Sequence, residues 1–174
     1  MHSDRVKLTR KTPHFKKKQE HHTNAFWFCV KTGFFAGLFW GTLHWILYTI
    51  HFTKILPGFM ADPFFQLSFL RTGWGNAVGI GCFIIFSIVA ALIYKFLLGR
   101  FSGPWAGVAY GMLWCAVLFL AIGPALNVTK PIQQLGLDTM ITELCIYTIW
   151  GLFIGYTIAF EFTDEVSREP IGAA

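Results

Sequence analysis

Charged side chains are scarce in this chain of 174 residues, where Asp, Glu, Lys and Arg together make up 13%. A soluble globular domain carries about 25% charged residues. The deficit falls in long apolar segments, and hydrophobic residues reach 55% of the sequence. The composition therefore excludes an ordinary soluble domain and indicates a protein that lies in a membrane.

Catalytic and metal-binding motifs are also missing. The chain contains no G-x-S-x-G, H-E-x-x-H or Walker sequence, so we expect neither enzyme activity nor a cofactor. The cysteines lie in the apolar segments and form no C-x-x-C pair: Cys29, Cys82, Cys115 and Cys145. We expect them to be small helix-packing residues, with no disulfide and no metal site.

The long apolar segments number four, at 25–50, 74–98, 105–126 and 140–160. A helix that crosses a hydrocarbon core about 30 Å thick needs roughly 20 residues at about 1.5 Å each. Each segment meets that length. The sequence therefore predicts an all-α membrane protein whose domain, residues 25–160, is a bundle of four transmembrane helices.

Positive charge is distributed unevenly and predicts the orientation. Residues 1–24 contain seven Lys and Arg residues, and Lys95 and Arg100 flank the second connection. Because cytoplasmic segments are enriched in Lys and Arg, both ends of the chain are predicted to be cytoplasmic. Residues 1–24 are expected to form a basic disordered tail, and residues 161–174 an acidic tail. Since the basic charge sets topology, we expect no nucleic-acid partner.

The first loop predicts a short additional helix. Asp62 suits a helix N-cap and Pro63 suits the first helical position, and an apolar run with three phenylalanines follows at 64–71. We expect this helix to lie in the outer membrane interface, with its aromatic rings among the acyl chains.

Glycines recur at every fourth position in all four apolar segments. In lipid, helices associate through close backbone contact across small residues. The pattern therefore predicts tight packing inside one chain or, alternatively, against a second copy. Segments 33–40 and 107–114 also align with each other, which is typical of a duplicated helical hairpin. The predicted packing residues are Gly33, Gly37, Gly41, Gly75, Gly79, Gly107, Gly111, Gly151 and Gly155.

Polar residues in the apolar segments form the candidate site, because a polar side chain in a membrane costs free energy and usually faces the bundle or water. With the predicted topology all of them lie in the outer half: His44, His51, Asn76, Asn127 and Glu143. One hypothesis is a binding or proton-handling site with His44 and Glu143 as the titratable pair. The alternative is structural: Glu143 lies at the start of its helix, where the helix dipole favours an anion, and snorkels to water, while His51, Asn76 and Asn127 cap helix ends at the interface.

Three segments resemble the YqhR family of small bacterial membrane proteins. They are TGFFAGLFW at 32–40, PWAGVAYG at 104–111, and the stretch 145–156, which begins with Cys-Ile-Tyr and ends with Gly-Leu-Phe-Ile-Gly-Tyr. The resemblance covers residues 25–163. It implies a bacterial plasma membrane and a four-helix bundle, and it carries over no activity and no site residue.

Two functions follow from the sequence. The first is a non-catalytic membrane protein that packs with a membrane partner or with itself, favoured by the glycine pattern and the charged tails. The second is a small dimeric carrier or channel-like protein that uses the outward-facing polar residues. Apart from the lipid bilayer, the sequence identifies no specific partner.

Overall fold

The computed structural model describes residues 24–99, 103–125 and 136–167, with side chains to residue 162. The helices are α1 (Ala25–Thr49), α2 (Leu67–Leu70), α3 (Gly73–Leu98), α4 (Pro104–Ala125) and α5 (Leu137–Ser167). Of these, α1, α3, α4 and residues Leu137–Phe162 of α5 are long and apolar enough to cross a membrane. The predicted all-α fold with four transmembrane helices is confirmed.

Helices α1 and α3 pack backbone to backbone through glycine. A Cβ atom added at Gly33 would lie 2.5 Å from Ile88 Cα, and one added at Gly37 would lie 2.5 Å from Ile84 Cα. Neither contact tolerates a side chain. Gly41 is less crowded, since its nearest neighbours, among them Ile80 Cγ2, would be 3.4 Å from the added atom.

Helices α4 and α5 form a second glycine-packed pair. Cβ atoms added at Gly107 and Gly155 would each run into the facing glycine's backbone, at 3.2 and 2.5 Å from its Cα atom. A Cβ atom added at Gly151 would collide with Gly111 Cα, whereas one added at Gly111 would collide with the carbonyl of Tyr147. The first half of the chain contains α1 and α3, and the second half contains α4 and α5. The aligned segments 33–40 and 107–114, one in each half, thus use their glycines for the same kind of contact.

The two halves of the chain meet through aromatic side chains. Trp150 of α5 is fully buried, donates from Nε1 to Ser87 Oγ of α3 at 3.0 Å, and stacks on Phe86 with ring centroids 5.5 Å apart. The Tyr110 hydroxyl of α4 donates to the Ala90 carbonyl oxygen at 2.7 Å. Because these contacts use long side chains, the backbones of the halves lie further apart than those within each half.

The first loop differs from its prediction. Instead of a helix that begins at Pro63 after an Asp62 cap, the chain makes a 3₁₀ turn (Phe59–Ala61) and then the single-turn helix α2, which begins after Gln66. The Ala61 carbonyl accepts from the amides of Phe64 and Phe65, which closes the first turn before a helix can start. The loop is then anchored on α3, where its residues block the space beside Gly75 and Gly79.

Helix α4 changes its winding near the loop end of the bundle, the end that carries residues 53–72. Residues Val117–Ile122 form a π-type segment before the helix ends at Ala125. Pro124 explains the change, because it has no amide N–H and its ring clashes with the carbonyl four residues earlier, that of Leu120. The wider turn was not predicted.

Helix α5 continues past the apolar segment to Ser167, so the start of the predicted acidic tail is helical. At this tail end of the bundle the Phe162 ring contacts Phe28 edge-on at 5.9 Å, and Lys95 Nζ lies 3.0 Å from the Phe162 ring centroid. The predicted basic tail at 1–24 lies outside the described residues except for Asn24.

Candidate functional site

A buried polar cluster of three side chains lies at the loop end of the bundle. His44 Nε2 and Glu143 Oε1 are hydrogen-bonded at 2.9 Å. The Thr53 hydroxyl donates to the same carboxylate oxygen at 2.5 Å. Glu143 and Thr53 are each 2% exposed, and His44 is buried. The structure therefore brings together two side chains that are 99 residues apart in the sequence.

Local structure explains how each member is positioned. His44 follows Gly37 and Gly41 along the buried face of α1, and Glu143 precedes Tyr147 by one turn on the buried face of α5. Thr53 is brought back beneath the end of α1 by a tight turn, in which the Leu47 carbonyl accepts from the Thr53 amide at 3.4 Å. The Thr53 hydroxyl also accepts from the Ile55 amide at 3.2 Å, which fixes the direction of its own donation.

Only one of the two carboxylate oxygens of Glu143 has hydrogen-bond partners. Its Oε1 atom has two partners, whereas Oε2 is buried and has no hydrogen-bond partner among the described residues. A buried polar atom without a partner costs about 1–3 kcal/mol, and more when the group is charged. The unpartnered oxygen is the most costly feature of the cluster.

An apolar cavity of about 340 Å³ adjoins the cluster. Its wall contains Glu143 and Thr139 from α5, and Cys115 and Phe119 from α4. The π-type segment contributes Phe119 and Leu120, so the widened turn of α4 forms part of the cavity. Insertions of this kind in α-helices are frequent at functional sites. The remaining wall consists of Ile55, Met112, Ala116, Met140, Ile141 and Leu144.

Of the other predicted site residues, His51 and Asn76 do not join the cluster. His51 is exposed and has a backbone φ of 63°, which places it in the turn after α1. Asn76 is half-buried near the start of α3, and its Oδ1 atom has no partner within the described part of the chain. Asn127 lies outside the described residues.

This geometry corrects one expectation about the polar residues and adds a residue that the sequence analysis missed. Glu143 does not snorkel to water, because it is 2% exposed and accepts from Thr53 inside the bundle. Thr53 was missed because a single loop threonine has no periodicity and carries no charge. The signal that could have found it is its place one turn beyond the apolar segment that contains His44.

Metal binding has no support within the described residues, where no group of three or more His, Cys, Asp or Glu side chains is placed to hold an ion. Cys29, Cys82, Cys115 and Cys145 are free thiols. Cys115 is the one that lines the cavity. The cluster thus offers one carboxylate, one imidazole and one hydroxyl beside an apolar space.

Comparison with known proteins identifies relatives of the chain. The family model described as "Conserved membrane protein YqhR" matches residues 10–171. A protein of Bacillus subtilis (strain 168), "Uncharacterized protein YqhR", is 32% identical over 168 residues, which cover 97% of this chain and 94% of the relative. No solved structure matches the chain. The resemblance inferred from the glycine and aromatic motifs is confirmed.

Proposed function

The chain belongs to the YqhR family of conserved membrane proteins, and from that starting point we propose that it is a non-catalytic binding protein for a small lipophilic molecule. The ligand occupies the cavity between α4 and α5. Its polar group is held by Glu143, whose other carboxylate oxygen is hydrogen-bonded to His44 and Thr53.

The unpartnered Oε2 atom of Glu143 is the observation that carries this proposal. A carboxyl group buried in a membrane bundle is costly and is by default a candidate functional group. Glu143 is among the residues that line an apolar cavity of about 340 Å³, a volume within the roughly 300–1,000 Å³ of small-molecule sites. A ligand that donates to Oε2 removes the cost of leaving this acceptor unsatisfied.

Binding fits the wall of the cavity better than catalysis does. Transition-state stabilisation requires several donors or charges aimed at the reacting atoms. Apart from Glu143, the wall is apolar or weakly polar, and its other side-chain heteroatoms belong to Thr139, Cys115, Met112 and Met140. Such a surface can fit the shape of a ligand and offer it one polar contact, at Glu143.

The packing hypothesis receives less support from the glycines than the sequence suggested. Gly33, Gly37, Gly107, Gly111 and their partners on α3 and α5 are used within one chain. A membrane-protein partner or a homodimer remains a proposal, and it would have to use other residues. A carrier also remains compatible, since binding is the first step of transport.

We also propose that the protein lies in the bacterial plasma membrane with both ends in the cytoplasm. The bacterial relative supports the first statement. The excess of Lys and Arg in residues 1–24 supports the second. In this orientation the cluster and the cavity face the outer leaflet.

Native mass spectrometry tests the proposed binding. The full chain, purified from its membrane in a mild detergent, is expected to carry a co-purifying lipophilic molecule. Glu143→Gln should lose it, because the change removes the carboxylate with little change of volume. Thr142→Ala is the matched control, since the Thr142 hydroxyl donates to the Asp138 carbonyl of its own helix. Equal occupancy in wild type and Glu143→Gln would refute the assignment, as would a wild type that carries nothing.

A further inference from the structure

The ligand's chemical class and its route follow from the same site, and this inference rests on the proposed function. We propose that the cavity opens sideways to the bilayer and takes up a single-chain amphiphile from the outer leaflet. The head group of that amphiphile donates a hydrogen bond to Glu143 Oε2. Its chain lies between α4 and α5 in the laterally open part of the cavity, which we call the groove.

The lateral opening is indicated by the exposure of the residues that line the cavity. Met112 and Leu120 of α4 are 47% and 65% exposed, and Ile141 and Leu144 of α5 are 60% and 40% exposed. These side chains belong to membrane-spanning helices, so in the bilayer their exposed surfaces face acyl chains. The cavity that they border is therefore continuous with the lipid, and a lipophilic chain reaches it without passing through water.

The inner part of the groove is lined by residues of the same two helices that are buried, in contrast to the exposed residues at its rim. Cys115 and Phe119 are 9% and 7% exposed, and Thr139 is 2% exposed. The wall thus passes from exposed aliphatic side chains at the rim to buried residues beside Glu143. An amphiphile that enters with its head first ends with that head at the carboxyl group and its chain toward the rim.

The head-group chemistry follows from the hydrogen bonds of Glu143. Because His44 and Thr53 occupy Oε1, Oε2 is left as an acceptor. Among the described residues that line the cavity there is no Lys or Arg. A head group that only accepts hydrogen bonds would therefore leave Oε2 unsatisfied, whereas an N–H or O–H donor matches the free acceptor.

Photocrosslinking in vesicles tests both parts of this inference. The full chain is reconstituted in phosphatidylcholine with one of two dodecyl probes that carry the same diazirine in the chain. One probe has a primary ammonium head, and the other has a trimethylammonium head. Both heads are cationic, but the second has no N–H donor. Adducts are mapped to residues by peptide mass spectrometry.

The ammonium probe is expected to give adducts concentrated on the groove, at Met112–Leu120 of α4 and Ile141–Leu144 of α5. A hydrogen bond to a charged group contributes about 1.5–3 kcal/mol, so Glu143→Gln should lower this labelling by about tenfold or more. The trimethylammonium probe should label all lipid-facing helices at a similar low level. Thr142→Ala should label as wild type does.

Ala116→Leu provides a second variant that leaves the polar cluster intact. Ala116 lines the cavity, so a larger side chain at this position fills the groove. Groove adducts should fall to the background of the trimethylammonium probe. Groove labelling that persists in Ala116→Leu would place the chain elsewhere and overturn the lateral route.

The outcomes separate this inference from the proposed function. Equal groove labelling by the two probes would overturn the requirement for a donating head. Adducts spread evenly over the lipid-facing surface would overturn the groove. In either case a co-purifying molecule that depends on Glu143 would leave the proposed function standing, with a ligand of another class. If that molecule is also missing, both proposals fail.

Discussion

At the scale of single residues, the cluster of His44, Thr53 and Glu143 joins the two halves of the chain. Glu143 belongs to α5, whereas His44 and Thr53 come from α1 and the loop that follows it. A buried pair of this kind adds less stability than its short distances suggest, because both groups lose their hydration. Removing one partner is more costly, since the other is left buried and unsatisfied.

A double-mutant cycle on His44 and Glu143 measures this asymmetry. His44→Leu alone should destabilise the bundle by about 3–5 kcal/mol, because it leaves the buried carboxyl group without its imidazole partner. The double variant His44→Leu/Glu143→Leu should be less destabilised than the sum of the two single variants by at least about 1 kcal/mol. Unfolding in detergent micelles, followed by circular dichroism, gives the three values.

Thr49→Val serves as the control for this cycle. Thr49 lies on α1 near His44, and its hydroxyl donates to the Trp45 carbonyl of the same helix on an exposed face. We expect a change within about 0.5 kcal/mol. Strictly additive effects of the His44 and Glu143 changes would show that the hydrogen bond between them contributes nothing.

At the scale of helices, the described membrane-spanning helices make close backbone contact through glycine in two pairs, α1 with α3 and α4 with α5. These pairs depend on missing side chains, so a methyl group is enough to disturb them. In membrane bundles such contacts supply association that apolar burial cannot supply, because lipid is as apolar as the helix surface.

Adding a methyl group at Gly111 tests the α4–α5 contact. Gly111→Ala should destabilise the protein by about 1–3 kcal/mol, because the new Cβ atom meets the carbonyl of Tyr147 and the backbone must shift. Gly81→Ala is the matched control. Gly81 is also helical, has open space beside it, and should gain roughly 0.5–1 kcal/mol. The same ranking should appear in the thermal midpoints, and a reversed ranking would contradict the packing.

Replacing Pro124 tests the cause of the π-type segment. Pro124→Ala restores an amide N–H, so the segment should return to regular α-helical bonding and gain up to about 3 kcal/mol. Hydrogen exchange of amides 120–125 should slow. Crosslinking of the ammonium probe at Phe119 should fall as the cavity narrows. Pro104 lies at the first position of α4, where proline needs no amide partner. Pro104→Ala is therefore expected to change neither the hydrogen exchange nor the crosslinking.

At the scale of the whole molecule, the apolar segments were sufficient to predict the number of membrane helices. Their pairing was not predictable, because glycine spacing shows that a helix packs closely and does not show against which helix. His44 and Glu143 were identified separately by their cost in lipid. Their hydrogen bond depends on how α1 packs against α5, and Thr53 and the π-type segment leave no periodic signal.

Fusion reporters test the predicted orientation of the molecule. Alkaline phosphatase fused after the last residue should be inactive, and a fluorescent protein at the same position should be bright, because both report a cytoplasmic C-terminus. Phosphatase inserted in the loop after Asp62 should be active. The opposite pattern would move the cavity to the inner leaflet.

The contrast between glycine contacts within each half and aromatic contacts between halves has a mechanical consequence. Backbones in direct contact cannot slide without collision, so each half is stiff. Rings such as Trp150 and Phe86 tolerate small rotations of one half against the other. We therefore expect the bundle to be most compliant where its halves meet, with movement there limited by the hydrogen bonds of His44, Tyr110 and Trp150.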